Sequence, residues 1–137
     1  MPRNKKQVGA LPIRRNKRGK AEILLITTRG KRPRWIIPKG CRSKRLSDND
    51  AAAREAREEG GVSGDMTQRA IGIFTHRKRT GHTRKVKVFR LDVDREEHRW
   101  PEERQRQRLW TSPRRAKKLV RTQGLRRLID LACASLA

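Results

Sequence analysis

The sequence predicts an α/β fold, in which short, strongly apolar strands alternate with a few well-capped helices. Three observations carry this reading. Apolar runs at residues 21–26 and 86–91 are dense enough to make buried strands in a chain that is otherwise 38% charged. An alanine-rich segment over residues 48–59 carries a helix start signal and a double-glycine stop. Near the C-terminus, Leu125, Leu128, Ile129, Leu131, Ala132 and Leu136 recur at helical spacing, as on a helix packed against a sheet.

Taken in order, residues 8–13 read as a first strand, turned by the charged segment 14–20 into a second strand over 21–27. A basic loop, 28–34, is broken by Gly30 and Pro33 and leads to a short strand at 35–37 that Pro38 ends. The basic segment 39–46 is expected to be a loop. Ser47 can cap the next helix, with Asp50 placed to reach back in a capping box and Asp48 adding favourable charge to the first turn. Ala51, Ala52, Ala53 and Ala56 favour helix to about residue 59, where Gly60 and Gly61 offer a left-handed stop. Strands are expected at 68–75 and 84–93, separated by a cationic loop, and the alternation from Lys85 to Val88 predicts one wet face on the second of them. After an irregular segment, 94–107, residues 108–111 suit a short edge strand. Ser112 and Pro113 then start a helix that Gln123 or Gly124 breaks. A length of 137 residues suits one domain, with its core over about 7–132.

The formal charge is +24, and it is unevenly spread. Residues 46–75 form an acidic island between two strongly basic flanks. Such a field attracts polyanions, whether phosphorylated metabolites, nucleic acid or anionic lipid head groups, without choosing among them. Cys41 and Cys133 have neither metal-site spacing nor the density of a disulfide scaffold. With no signal-peptide core and no membrane-length apolar run, the expectation is a cytoplasmic protein without a membrane partner.

Glu55, Glu58 and Glu59 stand at i, i+3 and i+4, which gathers three carboxylates on one helix face. Asp48 lies about two turns earlier on the same side. Clustered like charges are unfavourable unless compensated, and oxygen-only ligands suit a hard cation such as Mg²⁺ or Mn²⁺. Taken alone, these glutamates fit better the commoner case of a solvated helix laced by an Arg54–Glu58 pair, with Arg57 as a further partner. His76, His82 and His98 share no ligand spacing, and Trp35, Trp100 and Trp110 fall at element boundaries.

The surrounding register adds to the glutamates. Gly40 precedes Arg54 by fourteen residues, and Arg54-Glu55-Ala56-Arg57-Glu58-Glu59-Gly60-Gly61-Val62 follows without a gap. This resembles the Nudix box, departing from it only at Leu46, where the first Glu belongs. Together with Pro38 and Trp100-Pro101-Glu102, it is similar to the diphosphoinositol polyphosphate phosphohydrolase branch and its small bacterial relatives.

The resemblance implies an α/β/α sandwich with a mixed sheet and a loop–helix–loop that holds metal. It implies that Glu58, Glu59 and Glu55 are metal ligands, that Arg54 orients Glu55, and that the Gly40 backbone lies near the metal. It further implies a general base or extra ligand on a later loop, for which Glu102 and Glu103 are candidates, and an Arg106 that contacts substrate phosphate. Asp48 or Asp50 is available to substitute in part for the Glu missing at Leu46.

Arg29, Lys31, Lys39, Arg79 and Arg84 are further candidate phosphate clamps. The implied activity is Mg²⁺-dependent cleavage of a phosphoanhydride. With no Tyr and only two Phe, recognition by charge is favoured over base stacking. Diphosphoinositol polyphosphates and dinucleoside polyphosphates therefore lead, ahead of nucleoside triphosphates and RNA 5′ ends. The alternative is a basic nucleic-acid-binding protein on the same scaffold.

Overall fold

Two long strands, β1 (Asn4–Arg15) and the later Thr83–Glu96, lie side by side and parallel, in register from Asn4 opposite Thr83 to Ile13 opposite Asp92. The computed structural model describes residues 4–77 and 80–134. The remaining strands among these are β2 (Ala21–Thr27), β3 (Trp35–Ile36), β4 (Lys39–Cys41), β5 (Val62–Met66), β6 (Gly72–Arg77) and β8 (Arg108–Thr111), with Thr83–Glu96 as β7. All of them join antiparallel: β4 and β2 on β1, β3 and β8 on β2, and β5 and β6 on β7. The sheet is therefore mixed, as expected. The helices are α1 (Asp48–Glu55), α2 (Pro113–Leu119) and α3 (Gln123–Ala134).

Strand alternation divides the core between the two faces of the sheet. Leu11, Ile13, Ile23, Leu25, Val86 and Val88 face α2 and α3, and pack on Ala116, Leu125, Leu128 and Ile129. Val8, Ala10, Leu24, Phe89 and Leu91 face the opposite way, onto Ala51, Ala52 and Ala56 of α1. The outcome is three layers, α/β/α, with the alanines letting α1 approach the sheet closely. No helix among the described residues is long and apolar enough to cross a membrane.

Several elements depart from the sequence reading. The loop expected at 39–46 begins as β4, whose backbone pairs with Gln7, Val8 and Gly9. β5 was not anticipated. It has apolar residues only at its ends, and a register shift at Ser63/Gly64 interrupts its ladder with β7. A Cβ at Gly64 would run into the Asp92 carbonyl, so glycine permits that close approach. The strand expected at 68–75 forms instead at Gly72–Arg77. The face of β7 expected to be wet is exposed at Lys85 and partly so at Lys87, whose Nζ donates to the Asp48 carboxylate at 2.9 Å, while Phe89 and Leu91 further along it pack on the alanines of α1. The helix starting at Pro113 stops at Leu119, because Val120 turns extended and buries its side chain.

The start of α1 is half of the expected capping box. Ser47 Oγ accepts from the Asp50 amide at 3.3 Å, while Asn49 Oδ1 accepts from the same amide at 3.0 Å. The end differs more. The last turn, Ala56–Gly60, is π-helical and closes on Gly61, which has φ 67°. Wider π turns recur at functional sites.

Candidate active site

Glu55 and Glu59 come together where β4 passes beneath the helix. Pro38 stops β3, and its carbonyl accepts from the Ala10 amide at 3.0 Å, which steers residues 39–41 onto β1. The Lys39 amide then donates to Glu59 Oε1 at 3.1 Å. Gly40 lies directly under Glu55, and a Cβ there would overlap the Glu55 carboxylate. Glycine at this position thus lets backbone and carboxylate come together.

Glu59 is only 6% exposed. Burial pushes its carboxyl up to about 8, aided by the negative charges of Glu55 and Glu102, against the pull of Arg106 and the Lys39 amide. Burial also pushes Glu55 up, as does the charge of Glu58, while a hydrogen bond with Glu59 and the charge of Arg54 work the other way. A hydrogen bond between two carboxyls requires a proton on one of them. The cluster therefore holds excess negative charge that a proton or a cation must offset.

The third wall comes from the segment between β7 and β8. Arg106 is 9% exposed at its side chain, and its Nε donates to Glu102 Oε1 at 2.8 Å, its Nη1 to the Thr27 carbonyl at 3.0 Å, with Nη2 at 3.4 Å from Glu59 Oε2. One guanidinium thus ties this segment to both β2 and the helix. Of the two candidate bases, Glu102 is the one whose charge acts on both Glu55 and Glu59. Glu103 has its amide bonded to the Trp100 carbonyl.

Beside this cluster opens a cleft of about 810 Å³, with Glu59 in its wall. Of the candidate clamps, Arg29, Lys39 and Arg106 line it. Arg29 reaches Gln105 Oε1 at 3.0 Å and Glu102 at 3.9 Å, and the Lys39 Nζ donates to Gln7 at 2.9 Å. Lys31 is exposed and does not line the cleft. Arg84 does not line it either: it is buried in β7 and donates to the Thr83 carbonyl at 3.1 Å, because its register faces it inward beside His76. Arg79 lies outside the described residues.

The sequence reading overlooked Arg32, Arg34, Arg77 and Arg121, which complete the basic lining. The first two belong to the loop already noted for its charge, and Arg77 opens the cationic loop. Arg121 had no local signal, since its place depends on where α2 stops.

Two acids proposed to replace the missing Glu do other work. Asp48 accepts from both Arg42 and Lys87 at 2.9 Å, and Asp50 is exposed. Leu46 itself packs on the apolar cluster under α1.

The donor set is consistent with a hard cation: carboxylate oxygens whose carboxyls are driven upward by burial and, secondarily, by one another's charge, beside a backbone left open by Gly40. Among the described residues no three such side chains stand close enough to hold one ion together. Mg²⁺ commonly uses one or two carboxylates and completes its octahedron with water and phosphate.

Comparison with known proteins agrees with this architecture. The NUDIX domain family profile matches residues 3–132. Nudix hydrolase 21, chloroplastic, of Arabidopsis thaliana is 32% identical over 126 residues, covering 90% of this chain and 63% of that protein. Nudix hydrolase 4 of the same plant is 32% identical over 117 residues, covering 82% and 56%. The chain spans about three fifths of the length of the curated relatives it matches. Among solved structures, a Nudix hydrolase from Nitrosomonas europaea superposes with a TM-score of 0.72 at 20% identity, over 97% of this chain and 90% of that one. The C. elegans Ap4A hydrolase gives 0.69 at 18%, over 98% and 100%. With an α/β/α sandwich, a glutamate-bearing helix seated on a glycine, and a family match over nearly its whole length, the chain belongs to the Nudix family.

Proposed function

We propose that this protein is a Mg²⁺- or Mn²⁺-dependent hydrolase of phosphoanhydride linkages in highly phosphorylated small molecules. The observation that carries the reading is Glu59, which belongs at once to the crowded carboxylate cluster and to the wall of a cleft lined by arginines. Glu55 and Glu59, adjacent over Gly40 and the Lys39 amide, would hold the cation, with water and phosphate completing its shell. Glu58, whose charge acts on Glu55, would be the further ligand that the family motif implies. When bound, that cation supplies Lewis acidity and a water nucleophilic at neutral pH. Arg29, Arg32, Arg34 and Arg121 would bind the substrate's phosphates and neutralise charge that grows on them during cleavage. Glu102, held by Arg106, is the better-placed proton acceptor.

The lining favours phosphates over bases. Trp35 is the one indole in it among the described residues, and it is outnumbered by cations. Diphosphoinositol polyphosphates and dinucleoside polyphosphates thus remain the leading substrates, and the structural neighbour from C. elegans is an Ap4A hydrolase. The two free thiols suit a reducing, cytoplasmic setting.

The experiment is phosphate release from a panel containing both classes, a nucleoside triphosphate and 5′-triphosphate RNA, with Mg²⁺ or Mn²⁺, beside Glu58→Gln and Glu59→Gln proteins. Turnover confined to the unsubstituted protein supports the reading, and equal background in all three ends it. A second reading, a nucleic-acid binder, draws on the outer surface of α2 and α3. Arg114, Arg115, Lys118 and Arg127 are exposed there, while the acid Asp130 is paired to Lys117. Retention of RNA in rising salt, with no turnover of any compound, would favour it.

A further inference from the structure

The π turn leaves carbonyls at the end of the glutamate helix without helical partners, since the Gly61 amide closes only on Ala56 and Arg57. Four successive carbonyls are then taken, one by one, by the segment following β7. The Glu102 amide donates to Glu58 O at 3.0 Å, the Trp100 indole Nε1 to Glu59 O at 3.0 Å, Arg108 Nη1 to Gly60 O at 3.0 Å, and the Glu97 amide to Gly61 O at 2.7 Å. Arg108 also stacks on Trp100, its guanidinium carbon 3.8 Å from the ring centroid, while its Nη2 reaches the Glu97 carbonyl at 2.7 Å. The fit leaves no slack. A Cβ at Gly61 would stand 2.7 Å from Arg108 Nη1 and 2.9 Å from Trp100 Cγ.

We infer that residues 97–108 act as a strap that sets the direction of Glu58 and Glu59, with Trp100 and Arg108 as its positioning residues. A side chain's aim follows its own backbone, and here the carbonyls of both glutamates are fastened by this strap. The strap also carries Glu102 and Arg106, so one element orients the carboxylates and delivers the groups that face them. Residues outside the glutamate motif thereby tune the metal site, as partners of ligands commonly do. This inference rests on the metal reading given under Proposed function.

A comparison within the molecule isolates the role. Trp110 is built like Trp100, with an indole donating to the Glu96 carboxylate and Arg14 stacked at 4.1 Å, but it touches no carbonyl of the glutamate helix. Trp100→Phe keeps an aromatic ring and the stacking and removes only the indole donor. Binding of MnCl₂ followed by electron paramagnetic resonance, with melting temperature recorded in parallel, is expected to show affinity about fivefold weaker for Trp100→Phe, the scale of one lost hydrogen bond. Trp110→Phe is expected to bind Mn²⁺ as the unsubstituted protein does, and Arg108→Lys to lie between them. Equal affinity in Trp100→Phe and Trp110→Phe, whatever their melting temperatures, overturns the strap. Absence of Mn²⁺ uptake by the unsubstituted protein overturns the metal reading itself, and the strap's role with it.

Discussion

Arg106 and Glu59 form an ion pair in which both side chains are nine-tenths or more buried, with Nη2 and Oε2 3.4 Å apart. The pairing does not bring Glu59 down to the ordinary carboxylate range, because burial and two neighbouring acids outweigh one guanidinium. Arg106 is thus occupied by Glu59, Glu102 and the Thr27 carbonyl, and is less a free phosphate clamp than the sequence reading held.

Removing that guanidinium leaves buried acids unpaired. Arg106→Ala is expected to cost on the order of 3 kcal/mol in urea unfolding at pH 9, above the Glu59 value of about 8, with part recovered in the double variant Arg106→Ala/Glu59→Gln. Its turnover should fall more than its KM rises. A stability loss below about 1 kcal/mol, or a pure KM effect, would return Arg106 to the role of clamp.

Glu58→Gln and Glu59→Gln each remove a proposed metal ligand without altering an apolar contact. Turnover is expected to fall at least about a hundredfold in either, with circular dichroism unchanged. Unfolding of either variant would place these residues in the scaffold instead.

Gly40→Ala separates fold from function in another way. The added methyl meets the far end of the flexible Glu55 side chain, which can swing aside, so stability should drop by less than about 1 kcal/mol. The displaced carboxylate should nevertheless lower turnover by roughly tenfold or more. Unimpaired turnover would show that Glu55 need not sit on Gly40.

Asp48 supplies a test in pH. Burial works to raise its carboxyl, but hydrogen bonds and charge from Lys87 and Arg42 prevail and hold it below its ordinary value. A depressed carboxyl stabilises the fold above its unfolded pKa, about 3.9, and that contribution is lost as pH falls through the lower folded value. Because Lys87 and Arg42 are both substantially exposed, Asp48→Asn should cost only about 1 kcal/mol at pH 7. The gap from the unsubstituted protein should close below about pH 4. Thermal unfolding at pH 7 and pH 3 checks this, and a gap undiminished at pH 3 would assign the cost to packing.

Local signals carried much of the fold. The Ser47 and Ser112 caps, the alanines of α1, and the apolar runs of β2 and β7 act within a few residues of themselves, so their elements were legible in the chain. The i, i+3, i+4 glutamates were legible for the same reason, as was the basic character of the 28–34 loop. β4 and β5 were not, because three or five residues of mixed character become strands only through the ladders that β1 and β7 offer them. The π turn was hidden too, since residue preferences do not separate a helix closing at i+4 from one closing at i+5. Which arginines reach the cleft was settled by strand register and by where α2 ends: Arg84 faced inward, while Arg121, without any signal of its own, reached the lining. Proximity along the chain specifies periodicity and caps, whereas a site assembled from residues 27, 39, 59 and 106 exists only once the sheet has brought them together.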